Sequence, residues 1–254
     1  MTLWETVTWD IARAGGFTAY GLLAAAVIVG LALSMQWQTP RWPRLVNSEL
    51  HNFLTLLALI FTALHVLAVW LDPFTHFTWL EMLIPFTSYY RPTWMALGIV
   101  AFYLGIAIGI STWVRPAIGY ALWRKLHVLT LAIFALTTVH GMATGSDTQT
   151  WWALAIYIVS ALAVTALLCV RLLKTGKAHA RGHPKLAAAT ALVVLIGVVW
   201  ALMGPLQSGW SSRAGTHSAG THSAASSAIT AATVGASYTP PTRAQKSSAI
   251  ILVG

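Results

Sequence analysis

Residues 50–71 contain no Asp, Glu, Lys or Arg, and five other stretches of similar length are almost as apolar. A helix needs about twenty such residues, at about 1.5 Å rise each, to cross a hydrocarbon core about 30 Å thick. The six stretches, 15–35, 50–71, 93–113, 122–142, 151–173 and 186–203, therefore read as membrane-spanning helices. Composition agrees. Only 8% of the 254 residues are charged, against about a quarter in a soluble domain, so the lipid bilayer rather than water is the expected surrounding. The expected fold class is all-α: a polytopic membrane protein with a six-helix transmembrane bundle over 1–205 and a disordered tail over 206–254.

Punctuation between the stretches supports this division. "QTPRWPR", "LDPF" and "VRPAIGY" follow the first three, and proline in each opposes continued helix. Trp37, Trp42, Trp70, Trp94, Trp113, Trp123, Trp151 and Trp152 cluster near expected helix ends, at headgroup level. The segment 74–90, with "WLEMLIPF", is expected to lie along the outer membrane surface. "MTLWETVTWD" is acidic ahead of an apolar run too long for a signal peptide, so no cleaved leader is expected.

The net charge of +9 raises nucleic acid as a partner. The basic residues sit in short gaps between apolar runs, which excludes that reading and makes them topology signals. Arg41, Arg44, Arg115, Arg124, Lys125, Arg171, Lys174, Lys177, Arg181 and Lys185 fall on one side. Arg13 and Arg91 fall on the other, with Glu5, Asp10, Asp72, Glu81 and Asp147. The basic side is cytoplasmic, so a multi-pass protein of the cell membrane is expected, with both termini outside. The tail, with "GTHSA" twice, is rich in Ser, Ala, Thr and Gly and offers too little apolar area to offset chain entropy. Cys169, the single cysteine, allows no disulfide within the chain.

Four histidines break the apolar pattern. His51 and His65 lie in the second stretch, and His127 and His140 in the fourth. One such ring is ordinarily a neutral imidazole bonded to a neighbouring hydroxyl or carbonyl, but ionisable groups at this depth are also common marks of function. The fourteen-residue step from His51 to His65 spans about 21 Å and leaves the rings about 40° apart on a helix, on one face. Between them run Thr55, Ala58 and Thr62, small enough to leave room for a flat ligand. The second and fourth helices run in the same direction, so His51 is level with His127 and His65 with His140. Two imidazoles on opposite sides of a porphyrin make a six-coordinate iron, and two levels make two b-type haems across the bilayer. The thirteen-residue step from His127 to His140 leaves those rings about 140° apart on an ideal helix, which a bend, local unwinding or an oblique approach must absorb. A zinc or copper ion would need further ligands at each level, and the sequence places no Cys, Asp, Glu or additional His there. No C-x-x-C-H motif provides for covalent haem attachment.

Residues 9–173 resemble the ferric reductase-like transmembrane domain, a group that includes the membrane domains of NADPH oxidases and the haem subunit of the periplasmic methionine sulfoxide reductase system. The resemblance rests on "ARAGGFTAYGLL", on His51 and "HVLAVWLDP", on "PFTSYYRPTWMALG", on "WRKLHVLTLAIFALTTVHG" and on "GSDT". It implies that His51 with His127 holds an inner haem and His65 with His140 an outer one. Haem propionates favour nearby Arg or Lys. Arg124, Lys125, Arg44 and Arg115 are candidates at the inner level and Arg91 at the outer, although each also serves as a topology charge. No flavin- or nicotinamide-binding motif follows the sixth stretch. The resemblance therefore implies an oxidoreductase component that takes electrons from a separate flavoprotein or another donor and passes them to an extracytoplasmic acceptor. Two other functions stay open: a histidine-relay proton or solute transporter, against which the lack of Asp and Glu in the spanning cores counts, and a haem-bearing anchor for a separate redox subunit. His76, His179 and His183 read as solvated, and His217 and His222 as tail residues without fixed geometry.

The basic-residue asymmetry makes a direct prediction. Reporters fused at the C-terminus and within 174–185 are expected on opposite sides of the membrane; the same side for both refutes the topology.

Overall fold

The protein is described by a computed structural model covering residues 3–40, 43–73, 77–177 and 184–214. Among these residues all regular structure is helical. The long helices are α1 (Leu3–Ser34), α2 (Arg44–Leu71), α4 (Pro92–Trp113), α8 (Trp151–Lys177) and α9 (Pro184–Met203). Between them lie α3 (Trp79–Leu83), α5 (Arg115–Ile118), α6 (Tyr120–His127) and α7 (Thr130–Thr144), and α10 (Trp210–Arg213) follows α9.

Local chemistry sets the boundaries. α2 starts directly after Pro43 and ends at Leu71, with Asp72 turning to extended backbone ahead of Pro73. A capping box starts α3: the Thr78 hydroxyl accepts from the Glu81 backbone N–H while the Glu81 carboxylate accepts from Thr78 N–H. Pro92 opens α4, where a missing N–H costs nothing. Gly119, at φ +79°, separates α5 from α6 in a conformation that suits glycine. Trp79, Leu80, Leu83, Ile84 and Phe86 in and after α3 are exposed, in the segment expected to lie on the membrane surface.

Five segments are long and apolar enough to cross a membrane: Val7–Ser34, Arg44–Leu71, Pro92–Trp113, Tyr120–Thr144 and Trp151–Leu173. The sixth expected span corresponds to α9, whose apolar part, Ala188–Met203, is shorter than the other five. Large apolar side chains cover the outer surface of the bundle, among them Phe53, Leu56 and Leu59 of α2 and Leu192, Val193 and Leu195 of α9. An apolar surface this extensive marks a membrane-embedded protein.

The core is centred on α1. Tyr20, Ala24, Val27 and Leu31 pack with Phe134 of α7 and with Ala153, Tyr157 and Val164 of α8. Ala101 and Ile108 of α4 pack with Ile133 of α7 in a second cluster. α2 packs along α1, and α7 along α4, whereas α2 and α7 make at most slight backbone contact with one another. The Arg13 guanidinium is paired with the Asp147 carboxylate, tying α1 to the turn before α8.

The start of the expected tail differs from the sequence reading. Residues 206–214 are folded: Pro205 and Ala214 are buried, and the Trp210 indole N–H donates to the Ala143 carbonyl at 3.0 Å. Trp210 packs tilted against Trp94 and edge-on to Trp200, an apolar gain that the Ser- and Gly-rich composition around it conceals. The remainder of the tail, 215–254, lies outside the described residues.

At the centre of the core the Tyr20 hydroxyl bonds Ser160 Oγ at 2.7 Å and accepts from Thr138 Oγ1 at 3.1 Å. Both partners keep a backbone carbonyl as an alternative acceptor. Tyr20→Phe is therefore expected to cost only about 1 kcal/mol. A thermal melt of the purified protein measures this, and a loss several times larger would mean that the hydroxyl network organises α1, α7 and α8.

Candidate haem-binding site

The histidines of α2 face α1, which runs antiparallel to it. His51 Nδ1 lies 3.0 Å from the Ala26 carbonyl oxygen, and His65 Nδ1 lies 2.7 Å from that of Ala12. On the other side of the bundle His140 Nδ1 lies 2.9 Å from the Trp94 carbonyl oxygen of α4. A carbonyl only accepts, so Nδ1 carries the proton in all three rings. In a neutral imidazole Nε2 then holds a lone pair, which is the atom a metal takes. The backbone of α1 and α4 thus selects one tautomer and fixes the ring orientation.

Between α2 and the α6–α7 segment one pair of rings meets directly. The His51 and His127 centroids are 6.1 Å apart. Two imidazoles on opposite sides of one iron, at metal–nitrogen distances of about 2 Å, hold their centroids about 6 Å apart. His65 and His140 lie within electrostatic reach of each other. His51 beside His127 is one of the two juxtapositions that the parallel course of the two helices leads one to expect.

A tightened turn bears on the angular mismatch between His127 and His140. α6 ends at His127 and α7 begins at Thr130. In between, Leu129 N–H bonds to Leu126 O at 3.0 Å and Leu131 N–H to Val128 O at 3.1 Å, three residues back instead of four. A 3₁₀ turn advances about 120° per residue instead of about 100°, so three or four tightened residues rotate the chain by about 60–80° and remove about half the mismatch. The segment is overwound, where unwinding was one of the options.

His127 has a different environment. Its ring stacks on Trp123 at 4.9 Å, and the Arg115 guanidinium lies over the far member of that stack at 5.3 Å. Among the described residues two buried side-chain polar atoms lack a hydrogen-bond partner: His127 Nδ1 and Arg91 Nε. Both belong to residues singled out by sequence for haem ligation or propionate binding. Arg91 is 6% exposed, with left-handed backbone at φ +45°, and Nη1 donates to the Ala143 carbonyl one turn beyond His140. Its guanidinium also lies over the Tyr90 ring at 4.9 Å. Burial raises the Tyr90 phenol above its usual range even against the Arg91 charge, so the hydroxyl stays protonated and donates to Thr144 O at 3.1 Å. A buried cation with an unspent N–H, next to a histidine, suits a carboxylate ligand.

Arg124, Lys125, Arg115 and Arg44 are exposed at the other end of the bundle. Arg124 is one helical turn before His127 and within electrostatic reach of Arg171. His76, His179, His183, His217 and His222 lie outside the described residues. No three of His, Cys, Asp or Glu converge among the described residues, and the candidate site consists of imidazole pairs. Sequence reasoning missed the accepting carbonyls of Ala12, Ala26 and Trp94, which no side chain marks, and the Trp123 stack, which the four-residue step to His127 could have suggested.

No family model, curated protein or solved structure matches the chain.

Proposed function

We propose that this protein is a di-haem b-type membrane cytochrome, related to the ferric reductase-like transmembrane domains, that passes electrons across the membrane. The observation that carries this reading is the common presentation of three imidazoles. His51, His65 and His140 each give Nδ1–H to a helix carbonyl and keep Nε2 for a metal, and the His51 ring meets that of His127. The 6.1 Å separation of the His51 and His127 rings, the two orphaned polar atoms of His127 and Arg91, and the sequence resemblance support the same conclusion.

His51 and His127 hold the inner haem, and His65 and His140 the outer. When bound, the haems supply one-electron redox chemistry. The chain supplies the axial nitrogens, the tautomer, the spacing and an apolar surrounding. Arg91 neutralises a propionate at the outer level, and Arg124 with its basic neighbours does so at the inner level, where solvent shares the task. Two groups are needed because one cannot reach both faces of a core about 30 Å thick. A separate flavoprotein or another cytoplasmic or membrane donor delivers electrons, and an acceptor outside the membrane removes them.

The test is a reduced-minus-oxidised spectrum of the purified full chain, with haem quantified. About two non-covalent b-type haems per chain are expected; a haem-saturated preparation holding one or none refutes the reading. His51→Ala and His127→Ala should lose the same haem, and the double variant no more than either alone. His65→Ala and His140→Ala should do likewise for the other haem. If the two changes within a pair remove different haems, the pairing is wrong.

Arg91 gives a separate prediction. Arg91→Met keeps much of the side-chain volume but removes the charge and every N–H. It is expected to weaken retention of the outer haem and leave the inner one in place, as haem content after dilution and gel filtration would show. Equal loss of both haems would assign Arg91 to the fold instead.

A further inference from the structure

Each carbonyl-bonded imidazole also meets a glycine, four residues beyond the carbonyl that holds it. Ala12 O and Gly16 face His65, Ala26 O and Gly30 face His51, and Trp94 O and Gly98 face His140. Residues four apart share a helix face, so carbonyl and bare Cα form one notch for one ring. A Cβ on Gly98 would lie 2.7 Å from both Nδ1 and Cε1 of His140. On Gly16 it would lie 3.0 Å from His65 Nδ1, and on Gly30 3.2 Å from His51 Cε1. These separations are closer than the ~3.5 Å at which carbon atoms rest against one another. Gly21 on α1 and Gly105 and Gly109 on α4 are different, since a Cβ there meets nothing within 4 Å.

The notches keep register. On α1 they are fourteen residues apart, Ala12 to Ala26 and Gly16 to Gly30, the same step that separates His51 from His65 on the antiparallel α2. On α4 the step is not repeated. Fourteen residues beyond Trp94 and Gly98 stand Ile108 and Thr112. The Ile108 carbonyl accepts from the Ser111 and Thr112 hydroxyls, and Thr112 Oγ1 accepts from the Trp123 indole. The fourth imidazole, His127, therefore has a tryptophan face in place of a notch.

We propose that Gly16, Gly30 and Gly98 are positioning residues of the haem sites: they let α1 and α4 approach the imidazoles closely enough for a backbone carbonyl to take Nδ1–H and aim Nε2. This rests on the di-haem reading above. The notch acts through the histidine and touches no substrate, so its signature is spectroscopic. A displaced ring leaves the iron five-coordinate, converting a low-spin haem to high-spin before haem is lost.

The test compares single alanine variants of the full chain at 16, 30 and 98 with those at 21, 105 and 109. Gly98→Ala is expected to convert or lose the outer haem, leaving about one low-spin haem per chain. Gly16→Ala should affect the outer haem more weakly, and Gly30→Ala should affect only the inner one. The unaffected haem in each variant reports that the fold is intact. Alanine at 21, 105 or 109 should leave both haems unchanged. If Gly98→Ala does not accumulate, the double variant with His140→Ala decides. Removing the ring makes room for the new methyl, so recovery of a chain holding the inner haem supports the notch, and continued failure shows that Gly98 serves helix packing and overturns it. Two unchanged haems in Gly98→Ala also overturn it, as does equal damage from the control alanines. A wild-type chain without haem would defeat the di-haem reading and this inference together, whereas a di-haem wild type indifferent to Gly98→Ala defeats the notch alone.

Discussion

The hydrogen bond from an imidazole Nδ1 to a helix carbonyl is the interaction on which the centre of this molecule depends. Inside an α-helix the carbonyl already accepts from the residue four positions on, but it has a second lone pair directed outward. His51, His65 and His140 use that spare capacity. A polar ring in an apolar interior is costly unless its donor is satisfied, so each bond makes the ring tolerable and fixes which nitrogen remains for other chemistry. Satisfaction of Nδ1 and presentation of Nε2 are the same event.

That bond organises the helix arrangement. α1 supplies two of the three accepting carbonyls and also packs with α7 and α8, which makes it the scaffold of the bundle. α2 leans on α1 with one face and turns large apolar side chains outward on the other. α2 and α7 make at most slight backbone contact with one another.

The end of the bundle at His140 is more tightly built than the end at His127. Arg91 and Trp210 both donate to the Ala143 carbonyl, and Tyr90 donates to Thr144, so three side chains brace the last turn of α7 beyond His140. At the other end His127 closes a short helix, rests on Trp123 and has no hydrogen-bond partner for Nδ1. The two ends therefore differ in how firmly their histidines are held.

Much of this was legible in the sequence for plain reasons. Apolar runs without charge have few ways to satisfy their backbone in lipid, and helix is the simplest, so the long helices and the isolation of four histidines follow from the order of residues alone. Even the glycine pair, Gly16 and Gly30, stands in the sequence at the histidine spacing. Its meaning does not, because a missing Cβ matters only when a ring from another helix approaches it. The same holds for the carbonyls of Ala12, Ala26 and Trp94, which every residue possesses and no side-chain pattern distinguishes. The tightened turn after His127 and the folding of 206–214 were likewise decided in three dimensions. In the first, helix geometry has to accommodate two rings thirteen residues apart; in the second, Trp210 finds Trp94 and Trp200 across the chain. Composition and spacing picked out the four histidines, and the packing of α1 and α4 against three of them decided which ring nitrogen stays free.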